Sequence, residues 1–221
     1  MKKLLLILLI PMIGCFNSED SSKEFNPKDY FEDSQKKQKA LGKLDIVEDL
    51  DTALNLYSNY KYHIAYDGPN NWIVDKGVSE DIIYRTYQKD SGIVFSIGIQ
   101  EFKKELKEDI WTTYEKNKTE FDKTWFDIQK ILNIIPESIA TEKAILRNYI
   151  CLKRSCEFNV ESVNMQYKSK YISYDVYRGH LQLTFSLNLP NMFFVLNPDY
   201  YNNLFKNISF TEDMSLINKP N

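Results

Sequence analysis

Two histidines, three cysteines and 31 acidic side chains are the groups of this chain that could ligate a metal, attack a carbonyl or carry a proton. A metal centre needs three or four converging ligands. His63 and His180 stand far apart, and neither sits in an HExxH or comparable spacing. His63 falls on the polar side of an alternating run and His180 follows Gly179, so both are expected as surface histidines. No GxSxG elbow offers a serine nucleophile, and no GxxxxGK[ST] or GxGxxG loop offers a phosphate cradle. A carboxylate pair of the glycosidase kind remains open. No motif singles out two carboxylates, so no catalytic, cofactor-binding or metal residue is assigned, and no cofactor is expected.

Cys151 and Cys156 leave two alternatives. If Leu152-Lys153-Arg154-Ser155 forms a hairpin loop, the two cysteines face each other and can form a disulfide. If both lie in one continuous strand they stand ~16 Å apart and cannot bond, because bridged Cα atoms approach within about 7 Å. No CxxC motif gives the pair a redox role, so either way it is structural.

Cys15 differs from both. Met1-Lys2-Lys3 is a short positive segment, Leu4 to Ile13 is apolar, and Gly14 is the small residue a signal peptidase requires. The apolar run contains Pro11 and is far shorter than the ~20 residues that span a bilayer. Met12-Ile13-Gly14-Cys15 resembles the lipobox of bacterial lipoproteins, with Met12 where leucine is usual. The resemblance implies cleavage after residue 14 and a diacylglyceryl thioether on the Cys15 sulfur, often with a third chain on its amine. Each buried CH₂ contributes about 0.8 kcal/mol, so two or three chains hold a protein firmly on a membrane. Phe16, rather than aspartate, follows the cysteine, which by the same resemblance points to the outer membrane rather than the inner one. An exported chain meets an oxidising compartment, where a disulfide is permitted.

Composition agrees with a single folded domain behind a tether. Hydrophobic residues make up 43% and charged residues 27%, an ordinary globular balance. The 28 basic and 31 acidic side chains give −3, and loss of Lys2 and Lys3 with the leader makes the mature chain more acidic. Nucleic acid is therefore not an expected partner. Residues 15–43 are polar and read as the tether, 44–212 as one domain, and 213–221 as a C-terminal tail.

Within the domain, Val47, Leu50, Leu54 and Tyr57 predict a helix over 44–57. Alternation predicts strands at Tyr60–Tyr66, from Trp72, at Ile82–Tyr87 and at Ile93–Ile99. Phe121, Trp125, Ile128 and Leu132 predict an amphipathic helix that stops before Pro136, with Ile110 and Tyr114 in a helical turn before it. Strands return at Ala144–Leu152, around Glu157–Tyr167, at Tyr171–Tyr177 and at Leu181–Leu189, the last two joined by a tight Arg178-Gly179 turn. Asn197-Pro198 caps a closing helix with the stripe Tyr201, Leu204, Phe205 and Ile208.

This order predicts an α+β fold, a largely antiparallel sheet with helices packed on its faces in an α/β/α sandwich. Tyr57-Ser58-Asn59 leading into Tyr60–Tyr66, then Asn71-Trp72-Ile73-Val74, and the closing Leu204-Phe205-Lys206-Asn207-Ile208-Ser209-Phe210 resemble the PsbP/Mog1-like superfamily. The resemblance implies a non-catalytic binding or assembly role. It departs at the first motif, where Asp67-Gly68 intervenes before Pro69.

Fifteen tyrosines are present, and Trp72, Tyr62 and Tyr66 are the candidate ligand-facing aromatics, although half-buried strands favour such residues anyway. The expected function is a non-enzymatic envelope lipoprotein whose domain binds a protein partner, as an assembly factor or immunity-type inhibitor. The alternatives are a glycan or small-ligand receptor using exposed aromatics, and a hydrolase with an unrecognised carboxylate site.

Overall fold

The computed structural model describes residues 48–59, 61–76, 79, 81–102, 106, 108–131, 135–161 and 166–210. The leader, Cys15, the tether and the C-terminal tail lie outside the described residues. Strands β1 (Glu48–Asp51), β2 (Leu56–Asn59), β3 (Ile64–Asp67) and β11 (Ile208–Phe210) form a four-stranded sheet in the order β1-β2-β3-β11. Strands β4 (Ile73–Lys76), β5 (Ile82–Gln88), β6 (Ile93–Glu101), β7 (Pro136–Leu146), β8 (Tyr149–Glu161), β9 (Gln166–Arg178) and β10 (Leu181–Pro190) form a seven-stranded sheet. Its order is β4-β5-β6-β10-β9-β8-β7. Every strand pair in both sheets is antiparallel. The helices are α1 (Ile110–Lys116), α2 (Lys118–Ile131), α3 (Asn191–Leu196) and α4 (Pro198–Asn203). The fold is α+β and dominated by sheet.

Alternation gives the large sheet two unlike faces. Ile97, Phe185 and Val176 share the apolar face with Cys151, and that face packs on Tyr57, Ile64, Tyr66 and Ile208 of the small sheet and on Leu204 and Phe205. Tyr66 stacks on Phe95 at 4.4 Å between ring centroids, and Phe205 meets Phe95 edge-on at 5.6 Å. Each such side chain contributes about 1.5–3 kcal/mol when fully buried. On the other face, Ile110 and Tyr114 of α1 cover Leu152, and Trp125 of α2 covers Cys156, Phe158 and Val160.

In its described part, from residue 48, the helix expected over 44–57 is instead the β1–β2 hairpin; residues 44–47 lie outside the described residues. The Asp51 carboxylate accepts the backbone N–H groups of Ala53 and Leu54 at 2.9 and 3.0 Å, and Asn55 is left-handed at φ 55°, which no helix accommodates. Of the strand expected at Tyr60–Tyr66 only the part from Ile64 is strand, as β3: residues 61–63 form a turn after β2, with His63 also left-handed at φ 52°, and Tyr60 lies outside the described residues. The strand expected at Ala144–Leu152 is two strands, because left-handed Arg147 turns β7 back into β8. The closing helix is shorter than expected. Asn197 caps α4 through the Tyr200 N–H, but Leu204–Asn207 tighten into a 3₁₀ turn and Ile208 begins β11, which pairs with β3.

Asn55 joins the two sheets. Its side-chain amide donates to the Pro69 carbonyl at 2.6 Å and to Thr86 Oγ1 at 3.2 Å, and its Oδ1 accepts the Tyr84 hydroxyl. Its own carbonyl accepts the Gly68 N–H at 2.9 Å. A Cβ on Gly68 would come within 2.5 Å of the Asn55 side chain, so glycine alone fits there. Asn55→Ala removes all three side-chain bonds and keeps the left-handed backbone. It is expected to lower stability by about 3 kcal/mol, read as a shift of the urea unfolding midpoint, with Asn55→Gly no better than partly restoring it.

Candidate functional site

The side of the large sheet that faces α1 and α2 carries a polar row. Asp75 of β4, Arg85 of β5, Ser96 of β6, Ser186 of β10, Ser173 of β9 and Arg154 of β8 are successive cross-strand partners. Arg85 pairs with Asp75 at 2.6 Å, and the Ser96 and Ser186 hydroxyls share a hydrogen bond of 3.1 Å. Beside this row, Arg154 Nη1 donates to Asp175 Oδ2 at 2.9 Å, with the two side chains only 7% and 3% exposed. Asp175 Oδ1 accepts Thr184 Oγ1 at 2.8 Å and Gln182 Nε2 at 3.3 Å, and the Tyr177 hydroxyl donates to Gln182 Oε1 at 2.8 Å.

Burial pushes the Asp175 carboxyl above the ordinary carboxylate range, against the opposing pull of Arg154, Thr184 and Gln182. It also raises the Tyr171 and Tyr177 hydroxyls, which stay protonated at neutral pH. Both carboxylate oxygens of Asp175 are occupied by donors from its own sheet. The arrangement therefore acts as an internal anchor that pins β8, β9 and β10 in one register. Ser173 Oγ, Arg154 Nε and Gln129 Oε1 of α2 are buried without a hydrogen-bond partner.

Cys151 and Cys156 both lie in β8, an uninterrupted strand of 13 residues, and both are free. The disulfide alternative fails for the reason of reach set out above, and the two side chains also point to opposite faces. Cys151 joins the main core, whereas Cys156 lies under Trp125. Burial lifts both thiols to about 12. Leu152-Lys153-Arg154-Ser155 is strand rather than loop, because Arg154 is drawn inward to Asp175.

The candidate aromatics do not form a platform. Trp72 is 4% exposed and Tyr66 1%, both sealed in the core between the sheets. Tyr62 is half-buried and borders a shallow depression with Lys61, Glu101, Phe102, Arg178 and His180. His180 is exposed as expected, whereas His63 occupies a turn with its Nδ1 buried and unpartnered. Among the described residues, no three or more of His, Cys, Asp and Glu gather as a metal set.

The feature without an expected element is the first part of β7, residues 136–143. β7 is an edge strand of 11 residues, paired on one side with β8 and on the other with nothing among the described strands. Ile139 lies opposite Cys156 and Ile145 opposite Ile150, so all three isoleucines stand on the helix-facing side. Each is exposed, Ile145 to 70%, because α1 and α2 stop short of this margin. Pro136 at its start masked it, although proline is tolerated at the first residue of an edge strand. The recurrence of isoleucine at 135, 139 and 145 was the available signal.

No protein-family model matches this chain, and no curated protein matches it. Solved structures similar to it in part include these two. One is a crystal structure from Bacteroides thetaiotaomicron VPI-5482, with 9% identity and a TM-score of 0.43, covering 68% of this chain and 46% of that one. The other is the solution structure of cyanobacterial PsbP (CyanoP) from Synechocystis sp. PCC 6803, with 13% identity and a TM-score of 0.47. It covers 73% of this chain and 94% of that one. This chain thus spans less than half of the first structure. Likenesses at these values carry nothing about a site or an activity.

Two outcomes test the buried chemistry. Arg154→Ala strands Asp175 and is expected to cost about 3–5 kcal/mol, while Arg154→Met with Asp175→Leu recovers most of it. Equilibrium unfolding of the three proteins reads the difference. Cys151 and Cys156 are expected to resist a thiol reagent at pH 8 in the native protein and to react fully in denaturant, with no disulfide by mass.

Proposed function

We propose that this protein is a lipid-anchored envelope lipoprotein whose PsbP-like domain binds a protein partner, in an assembly or immunity-type role, without catalysing a reaction. The β7 edge is the observation that supports this reading. Its outer side offers backbone donors and acceptors in a row, and soluble proteins ordinarily cover or blunt such edges. Glu137, Glu142 and Lys143 blunt this one only in part. A partner segment adding as a further strand would take backbone hydrogen bonds from β7 and lay apolar side chains against Ile139, Ile145 and Ile150. The saturated Asp175 carboxylate agrees with a structural rather than a catalytic use of the polar face. Burial of Trp72 and Tyr66 weighs against the glycan-receptor alternative, because sugar platforms need accessible rings.

The anchor stands on the Met12-Ile13-Gly14-Cys15 motif. In this reading the domain sits in the envelope, on the outer membrane because Phe16 rather than aspartate follows Cys15, and the partner is met there. A photo-crosslinking residue at Ile145 in the full chain is expected to capture one stoichiometric protein from detergent-solubilised envelope. Thr141→Pro is expected to reduce that capture at least tenfold with the unfolding midpoint little changed, since its backbone lies at the edge. Absence of any stoichiometric adduct from Ile145, with Cys15→Ala still releasing the protein from membranes, would overturn the partner reading and leave the anchor intact.

A further inference from the structure

The β7 strand reads nearly the same in both directions. Ile139-Ala140-Thr141-Glu142-Lys143-Ala144-Ile145 is a palindrome about Glu142, broken only where Thr141 answers Lys143. The regular part of the strand has the same midpoint. It runs over 138–146, between the irregularity at Pro136/Ser138 and the left-handed turn residue Arg147. Two antiparallel copies of one strand about a two-fold axis normal to the sheet bring residues equally far from the axis opposite each other. With the axis at Glu142, Ile139 meets Ile145 of the second copy and Ala140 meets Ala144, each twice over. Both isoleucines lie on the helix-facing side, where Ile139 is 42% and the neighbouring Ile150 36% exposed, so the apolar row continues across the junction. Other registers fit worse. An axis at Thr141 sets Ile139 against Lys143, and an axis at Lys143 sets the two lysines against each other.

We propose that, until a partner segment arrives, β7 is closed by β7 of a second copy of this chain, antiparallel about a two-fold axis at Glu142. The inference rests on the reading of β7 as a strand-accepting edge, and it names what holds that edge in the protein alone. Self-pairing supplies the backbone partners that an open edge lacks. It also turns the entry of a partner strand into the displacement of one copy. The like charges that meet at the axis are already countered, because each Glu142 carboxylate pairs with Lys153 of its own sheet at 2.6 Å. Ala140 and Ala144 on that same side leave room for the two ion pairs to approach.

The test uses the full chain purified in detergent, with Ile139→Cys in one preparation and Ile145→Cys in another. In the proposed register these two positions face each other within disulfide reach, whereas each lies about 20 Å from its own counterpart. Both isoleucines are exposed, so the core is undisturbed, and Cys151 and Cys156 are buried. On mild oxidation the mixture is expected to yield at least fivefold more disulfide-linked dimer than either preparation alone. Comparable dimer from all three samples overturns the register, because random meeting within micelles gives that result. No dimer from any sample overturns self-pairing. The strand-accepting reading then stands if a photo-crosslinker at Ile145 captures a different protein from the envelope, and falls too if it captures nothing. A crosslink from Ile145 into another segment of its own chain also overturns self-pairing, by showing the edge covered from within.

Discussion

The structure depends on burying one face of a seven-stranded antiparallel sheet under a small second sheet and the closing segment of the chain. Leu183, Phe185, Leu187 and Leu189 of β10 lie at the centre of that face, beside Phe95 and Ile97 of β6. Alternation puts Gln182, Thr184, Ser186 and Asn188 on the reverse, so one strand supplies both the apolar core and the polar floor. A register slip of one residue would bury the polar set and expose the apolar one, which fixes the pairing firmly.

Two polar devices work within this constraint. Asn55 lies where the small sheet meets β5, and its left-handed backbone lets one side chain reach Pro69, Tyr84 and Thr86 together. Arg154 and Asp175 do a similar job on the reverse face, tying β8 to β9 while Thr184 brings in β10. A buried ion pair adds little net stability over an apolar replacement, but losing one partner is costly. Such a pair therefore enforces one arrangement of the strands rather than strengthening any arrangement.

The surfaces left uncovered follow from where the covering elements end. The helices α1 and α2 pack over β8 and stop there, leaving the isoleucines of β7 at the margin. The chain leaves β10 through α3, which turns two phenylalanines inward and three apolar side chains outward. These two surfaces, rather than any cluster of titratable groups, are the unusual features of the domain. Strand addition at the β7 edge fits the proposed reading of this domain as one that binds a protein partner.

Sequence patterning made several elements legible but not β7 or β8, since most of β7 carried no expected strand and β8 was divided between the strands expected at Ala144–Leu152 and around Glu157–Tyr167. The periods of β5, β6, β9 and β10, the helix α2 before Pro136 and the Asn197 cap all follow from local side-chain spacing and capping chemistry. Local spacing failed where single left-handed residues redirected the chain. Asn55, His63 and Arg147 each carry φ between 52° and 56°, a conformation no periodicity announces, and each turned an expected element into a hairpin or a break. The sequence by itself determined the α+β class, the alternation that divides core from polar floor, and the motif around Cys15. Only the tertiary structure decided that Trp72 and Tyr66 are core rather than platform, that Cys151 and Cys156 cannot meet, and that β7 is an edge. Those outcomes depend on which strands become neighbours and what covers them, and such long-range packing leaves no mark in the spacing of residues along the chain.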